Sequence, residues 1–114
     1  MEKIKQSCPG LSFKVLMNDT LLVDVREKDE FEQVKFDVPE MIHIPFFSKL
    51  DNRYNEIPKD RKVIIASYTG KKGIEATKFL YSKGYINISN MEEGLSKWLH
   101  KKYPVLGDKY FDLR

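Results

Sequence analysis

Apolar residues in this chain gather in short runs separated by charged stretches, and the runs follow two different periods. Leu21-Leu22-Val23-Asp24-Val25 and Lys62-Val63-Ile64-Ile65-Ala66 are compact and rich in β-formers, as strands buried on both faces must be. Met41-Ile42-His43-Ile44-Pro45 is a third such run, Tyr85-Ile86-Asn87-Ile88-Ser89 alternates as a fourth strand would, and Ile4 marks a short first one. Between them lie helical patterns. Ser7 is placed to cap a helix with Pro9 in its first turn, Leu11, Val15 and Leu16 on its apolar face and Asn18-Asp19 at its end. Residues 28–34 predict a short, mostly charged helix, and Pro39 breaks the chain after it. Residues 47–57 are helix-like and polar, closed by Pro58. Residues 73–83 form the longest helical pattern, with Gly84 as its left-handed terminator. Leu95, Trp98 and Leu99 mark a last amphipathic helix ending near Pro104, with Trp98 as a core residue. Residues 103–114, with Tyr110 and Phe111, are too aromatic for a free linker and predict a tail that packs back on the domain.

Short strands alternating with helices, with no hairpin signal between them, predict a parallel α/β sheet. Ligands of such sheets sit beyond the carboxyl ends of the strands. Three segments converge there: Asp24-Val25-Arg26, His43-Ile44-Pro45, and the loop Ser67-Tyr68-Thr69-Gly70-Lys71-Lys72-Gly73. A strand feeding a tight loop that opens into a helix aims several backbone N–H groups at one spot, at the positive end of the helix. That arrangement suits an anion. Lys71 and Lys72 read either as a solvated surface pair or as charge for that anion. Lys72 is the better placed, offering a point charge rather than a bidentate fork.

The bulk properties narrow the picture. The 114 residues are enough for one domain, 1–114, and not for two. A net charge of +3, with the Lys and Arg residues scattered among acids, does not suggest nucleic acid as a partner. The single cysteine, Cys8, excludes an intrachain disulfide and suits a reducing, cytoplasmic setting; its simplest reading is a small buried or half-buried hydrophobe. Met1-Glu2-Lys3-Ile4-Lys5 has no apolar stretch of a signal peptide, and no run approaches the roughly 18 residues of a membrane span. His43 and His100 are isolated from each other and from Cys8, so neither a metal site nor any other cofactor is expected.

In order and spacing, the pieces resemble a single-domain rhodanese, the thiosulfate or persulfide sulfurtransferase family. Leu22-Val23-Asp24-Val25-Arg26 is similar to the family's strand ending in Asp-Val-Arg, with Phe31 at the place of the next aromatic. Val38-Pro39-Glu40-Met41-Ile42-His43-Ile44-Pro45 resembles its G-H-I-P-G-A-x-N-I-P segment. Lys83-Gly84-Tyr85, then Met91-Glu92-Glu93-Gly94-Leu95 and Trp98, resembles its Gly-Phe turn and L-x-G-G-x-x-x-W helix entry. The resemblance implies a mostly parallel five-stranded sheet flanked by helices on both faces. It also sets the family's active loop, C-x-x-G-x-R, against Ser67-Tyr68-Thr69-Gly70-Lys71-Lys72: the glycine is kept as Gly70, the nucleophilic cysteine is Ser67, and the arginine is Lys72. Phe36-Asp37 stands where Gly-His is usual, and His43 where Asn is usual.

These departures decide the chemistry. The family's cysteine works as a thiolate that takes up sulfur as a persulfide, its pKa lowered by the N–H cradle and the helix end. A serine oxygen cannot form the sulfur–sulfur bond. A serine hydrolase would need a base within reach of Ser67 and a group to orient it. Only His43 and His100 are available, with Asp24 or Asp37 as a third member, and no G-x-S-x-G elbow is present. A phosphatase of this fold would need the cysteine and a loop one residue longer. The reading that remains is a non-catalytic rhodanese-like domain whose loop, Ser67 to Gly73, holds a small oxyanion such as sulfate, phosphate or a thiosulfate-like ion, or serves a protein partner. Asp24, Arg26 and His43 would support the loop. The second reading is an active sulfurtransferase whose cysteine was changed to Ser67 in this chain. No cofactor, nucleic acid or membrane enters either.

Overall fold

A computed structural model describes residues 4–107. Two-residue β1 (Gln6–Ser7) leads into α1 (Pro9–Leu16) and the buried β2 (Leu21–Asp24). Next come α2 (Lys28–Gln33), β3 (Val34–Phe36), β4 (Met41–His43), the one-turn α3 (Leu50–Arg53) and a 3-10 turn at Tyr54–Glu56. The chain continues through β5 (Val63–Ala66), α4 (Lys71–Ser82), β6 (Ile88–Met91), α5 (Gly94–His100) and β7 (Val105–Gly107). The main sheet has five parallel strands in the order β1-β6-β5-β2-β4. β3 and β7 form a separate antiparallel pair.

The apolar runs work because both faces of the sheet are covered. Leu21, Val23, Val63 and Ile65 point to one side, where Leu50 of α3 and Ala76 and Leu80 of α4 complete a core. Leu22, Ile64 and Ala66 point to the other, against Leu16 of α1 and Leu95 and Trp98 of α5. Helices therefore flank both faces. Trp98 is fully buried, and its Nε1–H donates to the Pro104 carbonyl at 2.8 Å. Tyr103 stacks on Phe13 with ring centroids 4.6 Å apart. Tyr110 and Phe111, on which the expected packing of the tail partly rested, lie outside the described residues.

Several boundaries differ from the sequence pattern, each for a local reason. Ser7 does not cap α1. Its backbone is drawn into the ladder opposite Met91, its hydroxyl accepts a hydrogen bond from Ser12 at 3.0 Å, and Cys8 takes the N-cap place. Leu11 is 54 % exposed; Pro9, Ser12 and Leu16 form the buried face. The fourth predicted strand sits three residues later, at Ile88–Met91. Tyr85 is used to close α4, its N–H donating to the Leu80 carbonyl at 3.1 Å, and Ile86 is 69 % exposed. The polar helix at 47–57 contracts to α3 and the 3-10 turn. Val34 belongs not to a helix but to β3, whose partner lies some seventy positions on, as Val34 pairs with Gly107. α4 begins at Lys71, two residues early, because Gly70 in the left-handed region (φ 98°) turns the chain at once.

Candidate functional site

The loop after β5 is held from below by α5. The Ser67 carbonyl accepts from Leu95 N–H and the Tyr68 carbonyl from Ser96 N–H, both at 2.9 Å. Gly94 makes this approach possible. It lies at φ 48°, and a Cβ there would come within 2.0 Å of the Ser67 carbonyl oxygen. At Gly70 a Cβ would meet the Glu93 backbone nitrogen at 2.9 Å, and φ 98° is strained for any L side chain. Asn90, wholly buried on β6, ties the loop to the sheet. Its Nδ2 donates to the Gly70 carbonyl at 3.3 Å and to Gln6 Oε1 at 2.8 Å. Its Oδ1 has no hydrogen-bond partner and lies against Gly73, where a Cβ would come within 2.1 Å of it. The sequence reading passed over Asn90. No local signal marks it, because Ser89 beside it is polar too.

Ser67 is 2 % exposed, and its Oγ lies at the focus of the loop. Gly70 N–H donates to it at 3.0 Å and Gly73 N–H at 3.1 Å. The N–H groups of Tyr68, Thr69, Lys71 and Lys72 donate to no described residue. The same segment borders a cavity of about 280 Å³, whose opposite wall is Arg26 and Glu30. Four residues whose backbone N–H groups have no acceptor among the described residues, two of them exposed lysines, thus line one space. Lys72 Nζ lies 5.1 Å from the ring centre of Phe47, an exposed aromatic that lines a different hollow with Phe46, Leu50 and Phe79. A larger hollow of about 370 Å³ lies elsewhere, between α1 and β6, and no loop residue lines it.

Asp24 and Arg26 come to the loop's edge as a buried pair. Arg26 Nη2 is 2.9 Å from Asp24 Oδ2, and Nε donates to both carboxylate oxygens at 3.1 Å. Nη2 also donates to the Val34 carbonyl at 2.7 Å and Nη1 to the Glu30 carbonyl at 3.1 Å. The guanidinium lies between Phe31 and Phe36, about 6 Å from each ring centre. Of its five N–H groups, one on Nη1 has no acceptor among the described residues. The pair therefore fixes β2 to α2 and β3, and leaves one donor on the cavity wall.

His43 is committed elsewhere. Its Nε2 is 2.7 Å from the Arg26 carbonyl, which can only accept, so that nitrogen carries the proton and donates. Its ring stacks on Phe31 at 3.8 Å, nearly parallel at 2°. Among the described residues no acid or base hydrogen-bonds Ser67 Oγ, so the hydrolase arrangement is absent there. Cys8, expected to be buried or half-buried, is exposed. Since Ser7 pairs with Met91 and Asn90 with Ile65, Cys8 sits level with Ser67 across β6, about 10 Å away at two strand spacings. No helix among the described residues is long and apolar enough to cross a membrane.

A parallel five-stranded sheet covered by helices on both faces, with a tight loop between its central strand and the next helix, defines the class of α/β domain. Residues 12–101 match the Rhodanese-like domain family, and the chain belongs to it. The chain is 32% identical over 88 residues to a sulfurtransferase of Allochromatium vinosum, covering 77% of this chain and 79% of that one. It resembles the solution structure of the polysulfide-sulfur transferase homodimer of Wolinella succinogenes with a TM-score of 0.81 and 28% identity, over 94% of this chain and 81% of that one. A rhodanese-related protein of Thermoplasma volcanium shares the fold, with a TM-score of 0.80 at 24% identity over 91% and 99% of the two chains.

Proposed function

We propose that this rhodanese-like domain binds a small oxyanion at the Ser67 loop and does not carry sulfur there. The observation behind this reading is the pair of N–H groups, Gly70 and Gly73, converging on Ser67 Oγ. In a persulfide cycle a thiolate attacks the outer sulfur of thiosulfate, forms a sulfur–sulfur bond and releases sulfite. The enzyme sulfur then carries the persulfide while the cradle holds the charge. With oxygen at residue 67 that bond cannot form. The cradle is nevertheless occupied by the residue's own side chain, which keeps the loop in shape, while the N–H groups of Tyr68, Thr69, Lys71 and Lys72, residues that line the cavity, have no acceptor among the described residues.

Sulfate, phosphate or a thiosulfate-like ion fits this donor set, in a domain that works in the cytoplasm alone or against a protein partner. The positive helix end contributes about 0.3–1 kcal/mol at an exposed site. The backbone donors and the lysines add to it, and the affinity expected is weak, on the order of millimolar. An NMR titration with sulfate tests the reading. Shifts confined to residues 67–74 and weakened in Lys72→Ala support it; shifts scattered over every lysine-rich surface and unchanged in Lys72→Ala refute it.

The second reading, an active sulfurtransferase whose cysteine was changed to Ser67, draws on the same intact cradle. Lys72 weighs against it, since a change made only to disable the nucleophile would leave the family's arginine in place.

A further inference from the structure

The cavity beside the loop carries opposite charges at different depths. Arg26, 2 % exposed, lines its buried side and has one Nη1 hydrogen without an acceptor among the described residues, on a guanidinium that Asp24, Val34 and Glu30 hold rigid. The free loop N–H groups and the two lysines complete a cationic end. Glu30 forms the exposed part of the same wall. Its backbone is fixed by the bond from Arg26 to its carbonyl, and its carboxylate, like that of Glu92, is in no ion pair with a described residue, whereas Glu27, Glu32, Glu40 and Glu56 have charged or polar partners. An acid at the mouth of an anion site repels a bare dianion. The volume, about 280 Å³, is roughly nine times the ~30 Å³ share of a liquid water. That is more than a five-atom oxyanion fills.

Resting on the anion-binding reading above, we propose that the physiological ligand is a small zwitterion: an oxyanion group joined by a short spacer to an ammonium group. The oxyanion enters between the loop N–H groups and Arg26, and the ammonium lies against the Glu30 carboxylate at the rim. Glu30 is then the residue that selects a zwitterion over a simple anion.

Two sulfonates of nearly equal size separate the ideas: 2-aminoethanesulfonate, which carries the ammonium, and propane-1-sulfonate, which carries a methyl in its place. Each is titrated by NMR into the wild-type domain and into Glu30→Gln. The proposal expects the aminosulfonate to bind roughly two- to five-fold more tightly to the wild type, the range of an exposed ion pair. It also expects Glu30→Gln to erase that preference while strengthening binding of propane-1-sulfonate. Equal affinities for both sulfonates, unchanged by Glu30→Gln, overturn the selection by Glu30 and leave the anion loop standing. No shift at residues 67–74 with either compound, nor with sulfate, overturns the anion reading and this proposal together.

Discussion

Replacing Ser67 by alanine removes one oxygen atom and leaves two backbone donors without an acceptor. Gly70 N–H and Gly73 N–H lie 3.0 and 3.1 Å from Ser67 Oγ, in a residue 2 % exposed. A buried donor left unpaired costs about 1–3 kcal/mol. Ser67, on which both converge, borders a cavity that water can enter, so the lower part of the range applies to each, and the sum for Ser67→Ala is about 2–4 kcal/mol. Against the 5–15 kcal/mol typical of a whole domain, that loss is large. Urea unfolding read from the fluorescence of Trp98, the only tryptophan and a fully buried one, measures it. Ser96→Ala is the control: its hydroxyl donates to the Glu93 carbonyl at an exposed site, where a change stays within about 0.5 kcal/mol. Amide exchange at Gly70 and Gly73 should quicken in Ser67→Ala before global unfolding does. A Ser67→Ala domain within 0.5 kcal/mol of wild type, with both amides still protected, would refute the argument that Oγ organises the loop.

Asp24→Asn should destabilise the domain by about 3–5 kcal/mol, because the Arg26 charge would remain buried without its counter-ion; a midpoint unchanged in urea contradicts the structural role given to the pair. Gly94→Ala should cost more than about 3 kcal/mol or abolish folding, since its Cβ would lie 2.0 Å from the Ser67 carbonyl oxygen at φ 48°. A soluble, unperturbed Gly94→Ala domain would show that α5 does not clamp the loop. Ser67→Cys should give a thiol with a pKa below the ordinary value of about 8.5, because the Gly70 and Gly73 donors favour the thiolate. Its alkylation rate should therefore hold up at pH values where an ordinary thiol has lost its reactivity, and a profile centred at the ordinary value counts against the cradle.

The strand–loop–helix unit from Val63 to Ser82 was readable because a parallel central strand must be apolar on both faces, and Gly70 announces the turn after it. The edges were harder. Tyr85 and Ile86 alternate as strand residues should, yet the termination of α4 takes Tyr85, and the ladder starts only at Ile88. β3 was invisible because its partner, β7, is remote in sequence and a three-residue strand leaves little pattern. Asp24, Arg26 and His43 were expected to support the loop; of these Arg26 lines the cavity beside it, Asp24 pairs with Arg26, and His43 is engaged with the Arg26 carbonyl and Phe31. Only tertiary contacts show that Arg26 grips two carbonyls of the following helix and strand, and that His43 donates to Arg26's own carbonyl. Likewise nothing local in the sequence sets Asn90 apart as the link between β1, β6 and the loop.

The most direct test of the account is intact-mass analysis after incubation with thiosulfate, with the wild type and Ser67→Cys side by side and peptide mapping to locate any adduct. The account predicts no gain for the wild type and, for Ser67→Cys, a gain of one sulfur atom at residue 67, removed by cyanide. A sulfur adduct mapped to the wild-type loop would contradict the claim that this domain carries no sulfur there; one mapped to Cys8 would make Cys8 the sulfur carrier instead. A Ser67→Cys domain that folds but takes up none would contradict the claim that the anion cradle is intact.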